Sequence, residues 1–232
     1  MIDVHCHLLY GVDDGAETIE ESVAMLQEAK SQGVDEIILT PHYRHGMFAY
    51  PKDRIEAHYQ KLKPRAEQLG VQIHLGTEYH VNSNMTEAFS GGRCHTLAES
   101  RYILTEYAYH SEYSYMCRMT REAVSHGYLP VIAHVERYAC LQNHMDRVAE
   151  LQEMGALVQV NADAVIGLEG MKVKRFCKQL LKREYLDMIA SDSHGIGKRM
   201  CHMQQCFAYI SKKYSQDYAY ELMCEAPAQI LK

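Results

Sequence analysis

The sequence lacks any long apolar run: no stretch approaches the roughly 20 apolar residues that a membrane-spanning helix requires. No basic region, apolar stretch or cleavage site follows Met1, so nothing predicts export. Positive charge is in deficit as well, and the net charge of −6 argues against nucleic acid as a partner, because such binding depends on clustered Lys and Arg. We therefore expect a cytoplasmic protein that is neither embedded in a membrane nor bound to nucleic acid.

Several common catalytic motifs are also missing. The eight cysteines include no C-x-x-C pair, which predicts reduced thiols rather than a disulfide framework. Neither a G-x-S-x-G elbow nor a Walker-type phosphate loop occurs. Cys177 and Arg183 have the C-x5-R spacing of cysteine-dependent phosphatases, but the residues between them include no Gly or Ser and continue a helical pattern. Because that chemistry needs a tight phosphate-binding loop, we interpret the spacing as accidental.

The sequence does contain a regular alternation of strand patterns and helical patterns. Seven strands are predicted at residues 2–7, 34–40, 71–78, 101–107, 129–134, 156–161 and 185–191, with helices between them and a helical remainder to residue 227. A capping box at Thr18 and Glu21 marks the start of the first helix. Strands that alternate with helices imply a parallel sheet. The length of 232 residues, without a linker or repeat, predicts one α/β domain over residues 1–232.

Side chains that bind divalent metals stand at or just after the C-terminal ends of six of these seven strands. They are His5, His7, His42, Glu78, Glu106, His134, Asp192 and His194. Because the ends of successive parallel strands converge, such a set can hold metal, and it is large enough for more than one ion. Only a ring of strands brings all these ends around one centre, so the positions favour a closed barrel over an open doubly wound sheet.

Each of these residues has an ordinary alternative role. His5 and His7 point to one face of a strand, yet they could be a polar pair in the core. The two glutamates are stronger candidates, because a carboxylate that ends an apolar strand is rarely buried without a partner or a metal. Glu78 could also bridge two cations through its two oxygens. Isolated His-x-His or Asp-x-His spacings are weak evidence, and their recurrence at the strand ends is what argues against chance.

Four charged residues in the loops after the strands have two interpretations each. Asp13 and Asp14 could form an acidic turn, or one of them could complete the shell of a third ion. Arg137 and Arg199 could be surface charges, or they could clamp an anionic substrate, for which a guanidinium group is well suited. The residues alone leave both questions open.

With these residues in place, the chain resembles the PHP (polymerase and histidinol phosphatase) superfamily. It is most similar to the bacterial PHP-type protein tyrosine phosphatases of capsular and exopolysaccharide synthesis. The resemblance is carried, in the family's order, by residues 1–7, 12–15, 40–42, 46–48, 76–78, 130–138 and 189–194. It implies a distorted barrel of seven strands, in agreement with the strand count. It also implies phosphomonoester hydrolysis on a phosphotyrosine-bearing protein, a bacterial tyrosine autokinase.

The resemblance further implies roles for the site residues. It implies a trinuclear centre that usually uses manganese, although iron and zinc also suit nitrogen and oxygen ligands. The implied sets are His5, His7, Glu78 and Asp192 for one ion, Glu78, Glu106 and His134 for a second, and Asp14 (or Asp13), His42 and His194 for a third. Arg137 and Arg199 match the phosphate-binding arginines. The loops at 107–112 and 195–198 depart from the family pattern, which leaves partner choice open.

Three alternative functions remain at this stage. A PHP phosphatase for a small molecule such as histidinol phosphate would use the same chemistry. An amidohydrolase would also combine a barrel with His-x-His and a final Asp. Such an enzyme typically has a bridging carbamylated Lys at a strand end, and the sequence has no Lys there. A non-catalytic metal-binding module is disfavoured because the ligand set is complete.

Overall fold

The computed structural model describes all 232 residues and contains nine short strands whose ladders are all parallel. The strands are β1 (Ile2–Cys6), β2 (Glu36–Leu39), β3 (His42–Tyr43), β4 (Gln72–Leu75), β5 (Glu78–His80), β6 (Tyr102–Glu106), β7 (Leu129–Ile132), β8 (Leu157–Asn161) and β9 (Met188–Ala190). All seven predicted strands are present. The third is split into β4 and β5. The second corresponds to β2, and the short β3 follows just outside its predicted range.

Helices connect the strands. They are α1 (Ile19–Ser31), α2 (Lys52–Gln68), α3 (Met85–Ser90), α4 (Tyr113–Ser125), α5 (Met145–Glu153), α6 (Ala162–Ile166), α7 (Met171–Arg183), α8 (Met203–Lys213), α9 (Gln216–Tyr220) and α10 (Ala226–Ala228), with 3-10 turns at Leu97–Glu99 and Val135–Arg137 and a π-helical turn at Glu221–Glu225. The predicted capping box is confirmed at Thr18, whose hydroxyl accepts from the Glu21 N–H at 3.2 Å. None of these helices is long and apolar enough to cross a membrane.

The helix predictions need two corrections. The short helices α3 and α6 were not predicted, because six and five residues are too few to show a helical period. The C-terminal residues are not one continuous helical region. An irregular segment separates β9 from α8, and α8 and α9 are distinct helices.

Pro41 and Gly76 stand at the interruptions between β2 and β3 and between β4 and β5. Proline has no N–H to donate to a ladder, so β2 ends just before Pro41. At Gly76, a Cβ atom would lie 2.7 Å from Leu97 Cδ2 and 3.0 Å from Ile38 Cγ2, so a larger residue would have to displace the side chains packed there. After the interruptions the chain changes sheets: β2 pairs with β4, whereas β5 pairs with β3 and β6.

The two sheets together form a ring. The first has the order β1-β2-β4 and the second the order β3-β5-β6-β7-β8-β9, and they are joined where β2 continues into β3 and β4 into β5. On the opposite side, the Asp192 N–H donates to the His5 carbonyl at 2.8 Å, and the His7 N–H donates to the Ser193 carbonyl at 2.9 Å. The predicted distorted α/β barrel is therefore confirmed.

The barrel interior begins with a small apolar cluster, which we call the inner apolar layer. It consists of Val4, Ile38, Leu97, Leu104, Val131, Ala133, Met188, Ala190 and Ile230. A second, larger apolar core contains residues of both the strands and the surrounding helices. Side chains two apart on a strand point to the same face, so Glu106 of β6 lies on the side of Leu104. The C-terminal ends of the strands thus carry polar side chains above the inner apolar layer.

Candidate metal centre

The nine predicted metal ligands converge at the C-terminal end of the barrel. They form four overlapping groups in which the ligand atoms lie within 4.8 Å of one another: His7, Asp14, His42 and His194; His5, His134 and Asp192; His5, His7 and Glu78; and His42, Glu78 and Glu106. We call these nine residues the ligand layer. No cysteine belongs to it, so the available ligand atoms are imidazole nitrogens and carboxylate oxygens only.

Glu78 lies at the centre of the ligand layer and is 1% exposed. Its Oε2 atom lies 3.2 Å from His5 Nε2, 3.1 Å from His7 Nε2 and 3.0 Å from His42 Nδ1. Its Oε1 atom lies 2.8 Å from His134 Nε2. Burial alone raises the pKa of Glu78, but the neighbouring imidazoles outweigh it and hold the pKa well below its ordinary value. The site therefore contains an ionised carboxylate surrounded by four histidines.

Asp192 is the second buried carboxylate, and it contacts both predicted phosphate-binding arginines. Its two oxygens each lie 3.0 Å from Arg199 Nη2, and its Oδ2 atom lies 3.0 Å from Arg137 Nη2. Burial raises the pKa of Asp192, but His5 and the two arginines outweigh it, so the pKa lies far below the ordinary range. The arginines thus neutralise one carboxylate of the ligand layer.

Asp13 and Asp14 occupy different positions. The buried Asp13 carboxylate lies 2.8 Å from His7 Nδ1 and accepts from the His42 backbone N–H at 3.0 Å. The half-exposed Asp14 instead lies 3.5 Å from the Nε2 atoms of both His42 and His194. Asp13 therefore orients one imidazole from behind, whereas Asp14 faces the converging ligand atoms.

Two polar residues of β8 were missed from the sequence. Gln159 Oε1 accepts from the His134 N–H at 2.9 Å and lies 3.3 Å from His5 Nδ1. Asn161 Nδ2 donates to Asp192 Oδ2 at 2.8 Å. They stand on the one predicted strand that carries no candidate ligand. Their alternation on an otherwise apolar strand, which puts both on one face, was the available signal.

Two further contacts orient the ligand layer from outside. His80 Nδ1 lies 2.9 Å from Glu106 Oε2, and the Tyr138 hydroxyl lies 3.3 Å from His134 Nδ1. Neither His80 nor Tyr138 was singled out in the sequence. Partners of this kind commonly fix the ring orientation and basicity of metal ligands.

The buried polar atoms of the ligand layer fit divalent cations. His42 Nδ1, Glu78 Oε2 and His194 Nε2 are buried without a well-aligned hydrogen bond, although His42 Nδ1 and Glu78 Oε2 lie 3.0 Å apart. Burying such polar atoms is costly unless something else compensates them. The Nε2 atoms of His5 and His7 lie 3.3 Å apart, so their lone pairs face each other unless a proton or a cation intervenes. Nitrogen and oxygen ligands without thiolate suit manganese, iron and zinc.

A cavity of about 210 Å³ opens above the ligand layer. Its lining residues are Asp14, His42, Arg44, Met47, Phe48, Glu78, Glu106, His134, Arg137, Asp192 and Arg199. Arg137 and Arg199 are 34% and 43% exposed, and their contacts with Asp192 use only their Nη2 atoms. Because a guanidinium group has five N–H donors, both arginines retain donors for an anion in this cavity. A larger cavity, of about 620 Å³ beside α2 and β4, is lined by none of the predicted site residues.

Cys177 lies in the middle of α7 and is 0% exposed. Burial raises the pKa of its thiol well above the ordinary value, which disfavours the nucleophilic thiolate. The C-x5-R spacing therefore lies within a helix, as predicted, and Cys177 has no phosphate-binding loop around it.

Comparisons with known proteins agree with these observations. A family model described as "Capsular polysaccharide synthesis, CpsB/CapC" matches residues 1–232. Tyrosine-protein phosphatase CpsB of Streptococcus pneumoniae is 34% identical over 238 residues, which cover 100% of this chain and 98% of that protein.

Two solved structures resemble this chain to different degrees. A crystal structure from work on YwqE of Bacillus subtilis and CpsB of Streptococcus pneumoniae, described as unique metal-dependent tyrosine phosphatases, matches with a TM-score of 0.93 and 27% identity. That match covers 100% of this chain and 94% of the other. A phosphotriesterase homology protein of Escherichia coli, at a TM-score of 0.64 and 13% identity over 100% of this chain and 98% of its own, shares the fold alone. The predicted family resemblance is therefore confirmed.

Proposed function

This chain belongs to the CpsB/CapC family of capsular polysaccharide synthesis, and we propose that it is a metal-dependent protein tyrosine phosphatase. The observation that carries the proposal is the convergence of nine nitrogen and oxygen ligand side chains below a cavity that two arginines line. The tyrosine phosphatase named among its relatives spans the whole of this chain, which supports the same activity.

We propose that the ligand layer holds two or three divalent ions, with manganese as the physiological metal and iron or zinc as alternatives. The proposed sets are His5, His7, Glu78 and Asp192 for the first ion, Glu78, Glu106 and His134 for the second, and Asp14, His42 and His194 for the third. The contacts of Asp13 behind His7 favour Asp14 as the ligand. When bound, such ions acidify water and offset negative charge on a phosphoryl group.

The chain's own residues would bind and orient the phosphoryl group. We propose that Arg137 and Arg199 donate paired hydrogen bonds to its oxygens and stabilise the charge that develops there. A tyrosine leaving group has a pKa near 10, so its departure needs less proton transfer than the departure of a serine alkoxide. Because the Cys177 thiol is buried, the proposal includes no phosphocysteine intermediate.

The proposed partner is a bacterial tyrosine autokinase of capsule or exopolysaccharide synthesis, acted on in the cytoplasm. The description of the family supports the link to capsule synthesis. All eight cysteines are free, which is compatible with a reducing compartment.

The proposal can be tested by metal depletion and substrate comparison. Protein treated with EDTA should lose phosphatase activity and regain it with manganese. The restored enzyme should prefer a phosphotyrosine peptide to histidinol phosphate, an amide and a lactone. Elemental analysis of the active protein should give two or three ions per chain. Activity that survives chelation, or a preference for histidinol phosphate, would reject the proposed function.

The variant Cys177→Ser separates metal chemistry from cysteine chemistry. It should retain nearly full activity, because the thiol is buried in α7 and is not part of the ligand layer. Circular dichroism should show unchanged folding. A folded but inactive Cys177→Ser protein would instead support the cysteine mechanism.

A further inference from the structure

Only two of the eleven residues that line the cavity above the ligand layer are apolar, and both belong to one turn. They are Met47, which is 62% exposed, and the half-buried Phe48. The other nine lining residues are charged side chains or imidazoles. An apolar group that enters this cavity therefore finds apolar contacts on one side only.

Backbone hydrogen bonds define the turn at residues 44–48. The Arg44 N–H donates to the Phe48 carbonyl at 3.0 Å, and the Phe48 N–H donates back to the Arg44 carbonyl at 2.8 Å. The Met47 N–H also donates to the Arg44 carbonyl, at 3.0 Å. Gly46 adopts a φ of +79°, which glycine accommodates without strain. These bonds hold Met47 and Phe48 in place at the edge of the cavity.

The Phe48 ring is also fixed relative to the ligand layer. It stacks on the His42 imidazole, with ring centroids 5.0 Å apart and an interplanar angle of 9°. His42 in turn lies 3.0 Å from the central Glu78 carboxylate. The position of the Phe48 ring relative to the ligand layer is therefore fixed by this stacking as well as by the hydrogen bonds of the turn.

Phosphotyrosine carries its aromatic ring directly on the bridging oxygen, whereas phosphoserine carries a single methylene there. A phosphoryl group held by the ligand layer and the two arginines would leave a tyrosine ring inside the cavity that Met47 and Phe48 also line. Methionine sulfur and aromatic rings both make favourable contacts with an aromatic ring.

We propose that Met47 and Phe48 form the wall against which the substrate's aromatic ring packs, an inference that rests on the proposed phosphatase function. They are specificity-determining residues that favour aryl over alkyl phosphomonoesters. Inorganic phosphate, which has no ring, gains nothing from this wall and serves as the reference ligand.

The test compares a ligand with a ring and a ligand without one, on manganese-loaded protein. For Met47→Ala and Phe48→Leu, KM should rise about tenfold for a phosphotyrosine peptide, the scale of one lost apolar contact. The inhibition constant of inorganic phosphate and the metal content should stay unchanged within about twofold, since the arginines and ligands are intact. Phe48→Tyr should keep most of the affinity. The matched control is Met171→Ala, a 71% exposed methionine outside the cavity, which should match wild type.

The outcomes separate this inference from the function on which it rests. Wild-type protein without activity on the peptide would overturn the proposed function and the inference together. An active wild type with unchanged peptide KM in Met47→Ala and Phe48→Leu would overturn the inference alone. An equal loss of peptide and phosphate binding would also overturn it, because Phe48 would then act only by supporting His42.

Discussion

The barrel interior contains two adjacent layers with opposite chemistry, built mainly from the same strands and the segments that follow them. The inner apolar layer consists of nine apolar residues, all nearly inaccessible to solvent. The ligand layer above it contains five histidines and four carboxylates, most of them buried as well. On β6 the change takes two residues, from Leu104 to Glu106. Burial alone therefore does not distinguish the structural part of this interior from the functional part.

The two layers differ in what burial does to their free energy. Apolar side chains gain about 25 cal/mol per Å² when they leave water, so the inner apolar layer stabilises the fold. Buried imidazoles and carboxylates lose hydration instead, and pairing offsets that loss only in part. The ligand layer thus lowers the stability of the fold, and its function explains why it is present. Substitutions in the two layers should accordingly separate activity from stability.

The largest effect on activity is expected for Glu78→Gln. The substitution keeps the shape of the side chain but removes the negative charge that faces the surrounding imidazoles. It also weakens a residue that belongs to two of the proposed ligand sets. We expect kcat/KM on a phosphotyrosine peptide to fall on the order of 10³-fold or more, at the upper end for loss of a preorganised electrostatic group. Bound manganese should fall to one ion or none.

The matched control for that experiment is Glu87→Gln on α3, whose side chain is 67% exposed and forms an ion pair with Arg93, outside the ligand layer. It should leave activity and metal content unchanged. A Glu78→Gln protein that retained a tenth of wild-type activity with full metal content would show that the ligand layer does not depend on this carboxylate.

The arginines that line the cavity should give the next largest effect. Arg137→Ala and Arg199→Ala should each cost about 2–4 kcal/mol of transition-state stabilisation, the scale of one lost donor. Lysine should rescue only in part, because a point charge does not reproduce the planar fork. Metal content should change little, since His5, His7 and Glu78 remain in place, although both arginines contact Asp192.

The readout is kcat/KM together with metal content for each arginine variant. Arg121→Ala provides the control, because Arg121 is 63% exposed on α4 and its nearest acidic group is 4.0 Å away. Near-wild-type rates in both cavity variants would make these arginines structural partners of Asp192 only. A loss of bound metal equal to the loss of kcat/KM would also indicate that the arginines act only by supporting Asp192.

A smaller effect is expected at Asp13, which supports the ligand layer from behind. Asp13→Ala removes the carboxylate beside His7 Nδ1 and should weaken manganese binding about 10- to 100-fold, as loss of such a partner commonly does. Asp14→Ala should instead remove one ion from the stoichiometry. Calorimetric titration of the metal-free proteins with manganese distinguishes lower affinity from a lost site. If Asp13→Ala lost one ion and Asp14→Ala only lowered the affinity for manganese, Asp13 would be the ligand.

Asp13 also shows where prediction from the sequence ended. The ligand layer could be predicted because the ends of parallel strands converge whatever the details of the loops. The choice between Asp13 and Asp14 depends on the path of one loop, which passes so close to β1 that a Cβ atom on Gly15 would lie 1.8 Å from the His7 carbonyl oxygen. Two adjacent aspartates carry no local signal for such a path.

The supporting residues were harder to predict for a related reason. Gln159 and Asn161 hold ligands from behind, and neither is a residue type that the search for metal ligands would select. The interruption between β4 and β5 at Gly76 was also unpredictable, because the close packing there involves Leu97, which is distant in sequence. Local patterns therefore predicted the secondary-structure elements and the ligands. The residues that orient the ligands depend on contacts between segments that are distant in sequence, and local patterns did not predict them.

The smallest effect on activity is expected in the inner apolar layer. Ile230 is 0% exposed and is the member of that layer furthest along the chain from any proposed ligand. Ile230→Ala should destabilise the fold by about 2–5 kcal/mol, through lost transfer free energy and a residual cavity. Because Ile230 belongs to the apolar cluster and not to the ligand layer, kcat/KM of the folded protein and its metal content should stay within about twofold of wild type. Urea unfolding gives the stability, and Met171→Ala on the surface should change it by less than about 0.5 kcal/mol. If Ile230→Ala lowered kcat/KM tenfold at full metal content, the two layers would be mechanically coupled, and the apolar layer would position the ligands as well as stabilise the barrel.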